Sequence, residues 1–141
     1  MDPLGLAKCF GLVRYKKDKV TPLSGSYASG INRAWAEEKR LVQLTGGGTV
    51  NWTEEEKVEL LSAGKVKGYT GHHINNAAAH PDWKGDPRNI VFLTNSPGGG
   101  AHLNSSQGHR GAWSNSTSGR LIDRSEMVKM HEKRAKEGCS T

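Results

Sequence analysis

Apolar residues between Ile31 and Thr45 form an approximate stripe with the spacing of one face of an α-helix. Consecutive glycines from Gly46 onward then end the predicted helix. We expect this apolar face to pack into a core, with Trp35 among the buried residues. The face consists of Ile31, Ala34, Trp35, Leu41, Val42 and Leu44.

A second helix is predicted to follow Asn51-Trp52. Thr53 and Glu56 have the spacing of a capping box, and Gly64 is suited to end the helix. The acidic residues of the segment lie near its start, where the helix dipole favours them. We expect Trp52 to be a core residue, and the buried side of the helix to consist of Val58, Leu60 and Leu61.

Branched and aromatic residues dominate the segment from Asn89 to Thr94, which follows the turn signal Asp86-Pro87. This segment is predicted to be a β-strand that pairs with the segment carrying His72 and His73. Adjacent side chains of an extended backbone point to opposite sides. One of these histidines can therefore face a metal ion while the other faces away from it, toward a water.

A short helix is predicted from Ala101 to Gly108, after a glycine-rich loop. Positions seven apart share one face of a helix, so His102 and His109 would both point back at His72 if the helix continues past Gly108. Farther along, Leu121-Ile122 is expected to return to the core.

A last helix is predicted to run through Glu137, capped by either Asp123 or Ser125. Its apolar contacts would come from Met127, Val128 and Met130. His131 lies in this charge-rich segment and is expected to be exposed to solvent.

Composition narrows the class of protein. At 141 residues the chain is long enough for one domain, and its 34% hydrophobic content with 18 glycines indicates a small core and much loop. The formal charge of +6 favours an anionic partner, nucleic acid being the first candidate and a merely soluble basic protein the alternative. Cys9 and Cys139 do not form a CxxC motif, so we expect free thiols, a terminal disulfide being the alternative. No apolar run approaches a membrane span, and no signal-peptide pattern is present.

Five of the six histidines lie between Gly71 and Trp113, and four of them, His72, His73, His102 and His109, are candidates for one site. Imidazole is the commonest transition-metal ligand and has an unperturbed pKa close to neutrality. The pattern therefore indicates a metal site with a base beside it. His80 precedes a proline in a loop and is assigned a structural role.

The segments GHHIN from Gly71, DPRNIVFLT from Asp86 and AHLNSSQGHRGAW from Ala101 together resemble the ββα-metal (HNH/endonuclease VII) nucleases. The resemblance is closest to the toxins with a GHH signature and to the nuclease domains of DNase colicins. It implies an α+β fold with a ββα-metal core and flanking helices. In this chain six residues separate His102 from His109, where the family pattern has three.

The same resemblance implies the roles of the site residues. His72, His102 and His109 would hold a divalent metal ion, with His73 as general base; the exchange of roles between His72 and His73 is the alternative. Asn89 would orient His73, and Arg110 would contact the scissile phosphate. Catalysis is expected with Mg or Mn, although a cage of neutral imidazoles also suits Zn or Ni.

Asp2-Pro3-Leu4-Gly5-Leu6 resembles the DPxGL motif that ends the shell of Rhs-repeat proteins, ahead of their toxin. This predicts an Rhs-junction remnant and basic arm over residues 1–30 and the nuclease toxin domain over 31–141. The basic part of the arm, read as extended and loosely ordered, is either a solvated linker or a phosphate-tracking segment.

The resemblance further implies an effector delivered by its Rhs shell, type VI secretion being one candidate route. It would act on DNA in the cytoplasm of the target cell. An acidic immunity protein would protect the producing cell. Two rival functions remain open: an RNase on the same scaffold, and a zinc-dependent module that binds nucleic acid without cutting it.

Overall fold

The computed structural model describes residues 13–137, with side chains as far as Arg134. The DPxGL segment, Cys9 and Cys139 lie outside the described residues. The helices are α1 (Tyr27–Thr45), α2 (Glu54–Ala63), α3 (Gly100–Asn104) and α4 (Arg124–Glu137). The strands are β1 (Arg14–Tyr15), β2 (Tyr69–His73), β3 (Ile90–Thr94) and β4 (Leu121–Ile122). The fold class is therefore α+β, as predicted. Among the residues described, no helix is both long enough and apolar enough to cross a membrane.

The described chain divides into two compact units. The helical unit contains residues 35–66 and 123–137 together with Val13, and the histidine unit contains residues 14–34 and 67–122. Helix α1 contributes its first part to the histidine unit and its second part to the helical unit.

The core of the helical unit includes both predicted tryptophans, Trp35 and Trp52, whose ring centroids lie 6.1 Å apart. Helix α2 begins with the predicted capping box: Glu56 N–H donates to Thr53 Oγ1 at 3.2 Å, and Thr53 N–H donates to Glu56 Oε1 at 2.9 Å. It ends at Gly64, whose left-handed φ of 82° suits a residue without Cβ.

The predicted buried side of α2 is wrong for two of its three residues. Leu60 is buried, whereas Val58 is 66% exposed and Leu61 is 39% exposed. Val58 is two positions from Leu60 and lies about 200° around the helix from it, and Leu61 is one position away and lies about 100° around. Neither therefore shares the face of Leu60. The partly buried residues of α2 are Glu56, Lys57 and Glu59.

Helix α4 is capped by Asp123, whose Oδ1 accepts a hydrogen bond from Glu126 N–H at 2.9 Å. The expectation that His131 is exposed is wrong, because only 3% of it is accessible. His131 lies four residues after the buried Met127 and seven after the buried Arg124, so all three share one face of the helix.

In the histidine unit β2 and β3 form the predicted antiparallel pair, with His72 opposite Val91 and His73 opposite Ile90. A second antiparallel pair joins β1 to β4, and Leu121 and Ile122 are buried as expected. The region from residue 14 to 34 belongs to this unit.

The described part of the basic arm is more ordered than its composition predicts. Leu23 N–H donates to Asp86 Oδ2 at 2.9 Å, and Arg88 Nη2 donates to Thr21 O at 2.8 Å. Helix α1 begins at Tyr27, four residues before the predicted start. These long-range hydrogen bonds leave no trace in local composition. The proposed junction at residue 30 stays a prediction.

Candidate metal centre and catalytic site

The adjacent histidines of β2 lie in different surroundings, as alternation along a strand requires. His72 and His73 are both buried, with 2% and 4% of their surfaces accessible. The ring of His72 lies close to the rings of His102 and His109, whereas the ring of His73 contacts Lys84 and Tyr27. The strand therefore separates the two imidazoles into two environments.

His72, His102 and His109 form a histidine triad. Each offers one ring nitrogen, and these atoms all lie within 4.8 Å of one another. The ring centroids are 5.0 Å apart for His72 and His102, and 5.1 Å apart for each of the other pairs. The structure thus brings together the three residues that the sequence analysis assigned to a metal.

The route by which His109 reaches the triad differs from the prediction. Helix α3 ends at Asn104, and the chain then turns so that His109 N–H donates to His102 O at 2.8 Å. Gly108 is required in this turn, because a Cβ there would collide with the carbonyl oxygen of His102. A tight turn, and not one continuous helix face, therefore places His109 beside His102.

The chemistry of the triad fits a metal ion. His72 Nε2 and His102 Nδ1 are buried and have no hydrogen-bond partner among the residues described. His109 Nδ1–H donates to Asn115 O at 2.9 Å, which leaves its Nε2 as the ligand atom. A backbone hydrogen bond to a second ring nitrogen is the usual way of orienting a ligand imidazole. Convergent, unpartnered nitrogens are what a cation-binding cage requires.

The electrostatics of the triad favour the neutral forms of His72 and His102, as metal ligation requires. Burial, followed by the neighbouring His102 and His109, lowers the pKa of His72 from 6.5 to about 4. The pKa of His102 is also lowered, first by burial and then by His109. Binding of a cation near pH 7 therefore does not require a proton to leave either ring.

His73 has the hydrogen-bonding pattern of a base. Its Nε2 lies 2.7 Å from Lys84 O, so Nε2 carries the proton and donates it to the carbonyl. The other nitrogen, Nδ1, is buried and lacks a hydrogen-bond partner within the described chain. Burial lowers the pKa of His73, although the bond to Lys84 acts in the opposite direction. A neutral imidazole with Nδ1 as the free acceptor is the result.

Comparison with known families covers the part of the site that β2 and β3 contribute. Residues 22–94 match the model of the GHH-signature-containing HNH/Endo VII superfamily nuclease toxins, which is more than half of the chain. The chain belongs to this nuclease toxin family. The match includes both strands of the β2–β3 pair with His72 and His73, and it ends before α3. The contributions of His102 and His109 to the site are therefore seen in the structure and not in the family match.

Several relatives resemble the chain over part of its length. Teneurin-3 of Mus musculus is 38% identical over 80 residues, and Teneurin-m of Drosophila melanogaster is 39% identical over 70 residues. Teneurin-1 of Homo sapiens is 32% identical over 94 residues. These alignments cover 57%, 50% and 64% of the chain but only 3% of each teneurin. The chain thus resembles a small part of each of these long proteins.

Asn89 of this GHH nuclease toxin lies immediately before β3 and is fully buried. Its Oδ1 accepts from Asn75 N–H at 2.8 Å and from Asn75 Nδ2 at 2.9 Å, while its own Nδ2 donates to Asn75 O and Trp83 O. These bonds fix the backbone just after His73. Any orientation of His73 by Asn89 is therefore exerted through the backbone, and the direct ring contact comes from Lys84.

Arg110 is exposed and has a positive φ of 53°, which is uncommon for a residue with a Cβ. Its Nη2 donates to Ser116 O at 2.9 Å, so the guanidinium lies against the following loop. A phosphate contact from this position stays a prediction. His80 is not one of the clustered histidines; it stands at the start of a short 3₁₀ segment and makes no side-chain capping bond.

The sequence analysis gave no role to Asn75, Tyr27 or Asn115. Asn75 stands within the GHHIN segment, so its position beside the histidine pair was a signal that could have been used. Asn115 orients His109 from a polar loop that carries no distinctive pattern. Tyr27 stacks on His73 with ring centroids 4.1 Å apart, although it is far away in sequence and lies in the predicted arm.

Proposed function

We propose that this nuclease toxin is a metal-dependent, largely sequence-nonspecific endonuclease that hydrolyses DNA phosphodiesters. The single observation that carries the proposal is the arrangement of four buried or half-buried imidazoles. Three of them converge with ring nitrogens within 4.8 Å, and the fourth, His73, is held apart with an unpartnered Nδ1. This is a ligand set with a separate base, which hydrolysis requires and simple binding does not.

The metal ion would be held by His72, His102 and His109. When bound, such an ion acts as a Lewis acid that polarises a phosphoryl oxygen and stabilises the developing charge. Three neutral imidazoles suit Zn or Ni, whereas Mg and Mn usually prefer oxygen ligands. The metal that supports turnover, expected to be Mg or Mn, can therefore differ from the metal that is retained on purification.

His73 would act as the general base. Its Nδ1 accepts a proton from the attacking water, while Nε2–H remains on Lys84 O and holds the ring in position. The lowered pKa keeps Nδ1 available at neutral pH. Hydrolysis by this water would leave 5′-phosphate and 3′-hydroxyl ends, as in the nucleases that the motifs resemble.

Binding of the substrate would rest mainly on phosphate contacts. The chain carries a formal charge of +6, and Arg110 is exposed close to the triad residue His109. Contacts to phosphates carry no sequence information and become weaker as salt is added. We therefore expect little sequence preference and a steep dependence on ionic strength.

We further propose that the domain is an antibacterial effector, delivered by an Rhs carrier and acting in the cytoplasm of the target cell. The family's description as a toxin supports this role, and an acidic immunity protein would have to protect the producer. The similarity to teneurins does not bear on bacterial competition, because it concerns only 3% of those proteins. Expression of the chain with and without a candidate immunity protein tests the proposal.

The alternatives are an RNase and a non-catalytic zinc module. A closed structural zinc site uses four ligands and needs no base. Here the triad supplies three histidines, and His73 carries an acceptor nitrogen that a structural site would leave unused. This observation favours an enzyme over the binding module, and the choice between DNA and RNA is left to experiment.

The test is incubation of supercoiled plasmid with the purified protein and Mg, Mn or Zn, with EDTA as the control. We expect metal-dependent nicking that is lost in His73→Ala, by about 100- to 10,000-fold, which is the usual contribution of a general base. His73→Ala should still bind zinc, because the triad is intact. His80→Ala is the matched control and should cut as the parent does.

Two results would contradict parts of the proposal. If His73→Ala cuts as fast as the parent, then His73 is not the base. If plasmid stays intact with every metal while structured or single-stranded RNA is degraded, then the enzyme is an RNase. Zinc binding without cleavage of either polymer would indicate the binding module instead.

A further inference from the structure

Trp113 is the one large aromatic side chain beside the triad that remains open to solvent, among the residues that the structure describes. Its ring centroid lies 4.9 Å from that of His102 and 5.3 Å from that of His109. Nevertheless 54% of the residue is accessible. The other three tryptophans, Trp35, Trp52 and Trp83, are all buried. An exposed indole loses the benefit of burial, so its position at the site calls for a reason other than core packing.

We propose that Trp113 is a stacking platform for an unpaired nucleobase next to the scissile phosphate, so that the preferred substrate is single-stranded nucleic acid or an unpaired region of a duplex. The inference rests on the proposed nuclease function and specifies its substrate class. An aromatic face accepts any base, because every base has a π-face. Stacking on Trp113 is therefore compatible with cleavage that lacks sequence preference.

The distances fit this placement. Each nucleotide of one strand occupies about 3.4 Å along the axis of a duplex. A ring about 5 Å from the rings of two triad histidines lies within one or two nucleotides of a phosphate held at the triad. A base in that position reaches the indole only if it is not paired and stacked within a duplex.

The surroundings of Trp113 hold it in place for this role. Ala112 N–H donates to His109 O at 3.2 Å, and Asn115 N–H donates to Ala112 O at 3.0 Å, so Trp113 lies within a hydrogen-bonded turn. The indole meets the ring of His102 edge-on, at an interplanar angle of 68°. The same turn carries Arg110, whose guanidinium is held on Ser116 O and which adds a positive charge for the phosphates of a bound strand.

The competing explanation is that Trp113 only packs against His102 and His109 and thereby supports the metal site. Support of the metal and stacking of a base predict different results. A supporting side chain affects zinc affinity and treats single-stranded and duplex substrates alike. A platform affects the binding of single strands and leaves zinc affinity largely unchanged.

The experiment compares Trp113→Ala and Trp113→Phe in a His73→Ala background that is loaded with zinc, so that bound strands are not cut. Affinities are measured for a single-stranded oligonucleotide and for the duplex of the same sequence. We expect Trp113→Ala to weaken single-strand binding by about 5- to 150-fold, the usual loss when a stacked base loses its aromatic partner, with a smaller loss for the duplex. Trp113→Phe should retain most of the preference, and Val58→Ala, which removes exposed apolar surface from α2, should retain all of it.

Tryptophan fluorescence gives a second readout that does not require turnover. Because Trp113 is the exposed tryptophan, quenching by the single strand should be large in the parent and small in Trp113→Phe. Equal losses on single strand and duplex, or a loss that follows zinc affinity, would overturn the proposal. Quenching and strand preference in a protein that cuts no nucleic acid would instead refute the nuclease function while leaving the platform in place.

Discussion

The buried carboxylate of Glu38 in the helical unit and the buried imidazoles of the histidine unit differ in how their polar atoms are satisfied. In the helical unit the carboxylate of Glu38 is fully buried and accepts hydrogen bonds from Thr49 N–H and Oγ1, both at 2.6 Å, and from Trp52 Nε1 at 2.9 Å. It also forms an ion pair with the fully buried Arg124 at 2.8 Å. In the histidine unit, by contrast, His72 Nε2, His73 Nδ1 and His102 Nδ1 have no partner among the described residues.

This difference is the one expected between a structural polar cluster and a binding site. A buried polar atom without a hydrogen bond costs about 1–3 kcal/mol, so a fold tolerates several of them only where something else offsets the cost. Both carboxylate oxygens of Glu38 already accept hydrogen bonds from groups of the same unit, so neither is directed at a ligand. The imidazole nitrogens of His72, His73 and His102 lack hydrogen bonds. The ligand nitrogens of the triad, His72, His102 and His109, all lie within 4.8 Å of one another. Convergence and incomplete hydrogen bonding together indicate a site, and neither alone would do so.

The largest effect that we expect comes from removing one ligand of the triad. His72→Ala should lower zinc affinity by at least about 100-fold, because even residues behind the ligands typically contribute 10- to 100-fold. Cleavage should fall with the loss of metal. Isothermal titration with zinc measures the affinity, and circular dichroism checks that the variant is folded. A variant that binds zinc as the parent does would break the distinction between the two clusters.

Breaking the saturated cluster should affect folding and not metal binding. Glu38→Ala removes the carboxylate that pairs with the buried Arg124 and should lower the free energy of unfolding by about 3–5 kcal/mol. Urea denaturation measures this loss. Arg40→Ala is the control, because Arg40 pairs with Glu132 at 2.9 Å where both side chains are 44% exposed, and it should cost only about 0.2–1 kcal/mol. Equal midpoints for the two variants would contradict a structural role of the buried pair.

The stability of the metal-free protein should depend on pH because of the buried histidines of the triad. The pKa of His72 is lowered from 6.5 to about 4 in the folded protein, so between these values the unfolded chain binds more protons than the folded one. The metal-free protein should therefore lose stability as the pH falls from 6.5 toward 4, and His102, whose pKa is also lowered, acts in the same direction. Thermal unfolding with EDTA across this range measures the effect.

The triad itself provides the control for that measurement. His72→Ala removes the group with the largest stated shift, so its stability should depend less on pH over the same window. A parent protein whose unfolding temperature does not change between pH 6.5 and 4 would show that the imidazoles are not held neutral by burial.

The smallest effect that we expect concerns Asn89. Asn89→Ala removes the acceptor for Asn75 N–H and Nδ2, and should lower the free energy of unfolding by about 1–3 kcal/mol. Because these bonds fix the backbone after His73, cleavage should fall while zinc affinity is kept. The exposed Asn51→Ala should change stability by less than about 0.5 kcal/mol. Unchanged cleavage in a folded Asn89→Ala protein would exclude a positioning role for this residue.

Much of the site could be predicted because its signals are local. The β2–β3 pair follows from a run of branched residues after a turn signal, and the separation of His72 from His73 follows from the alternation of a strand. The capping box of α2 and the Asp123 cap of α4 depend on residues three apart, which sequence displays directly. Family membership is also written in these segments, since the matched region contains both strands.

Other features depend on which face of a helix packs against the core, and the local sequence does not show this. Val58 and Leu61 are apolar yet exposed, whereas His131 is polar yet buried, because the packed faces of α2 and α4 run through other positions. The basic arm contains the start of α1 and long-range hydrogen bonds to Asp86 and from Arg88. Composition alone favoured a linker there.

The sequence by itself determined the nuclease toxin family, the strand pair and the identity of the clustered histidines. Only the tertiary structure decided how His109 reaches the triad, that Lys84 and Tyr27 contact His73, and that Trp113 remains exposed beside the ligands. The physical reason is the range of the interactions. Strand alternation and helix caps act between residues a few positions apart, whereas the turn at Gly108, the stacking of Tyr27 and the orientation of Trp113 depend on groups that meet only after the chain has folded.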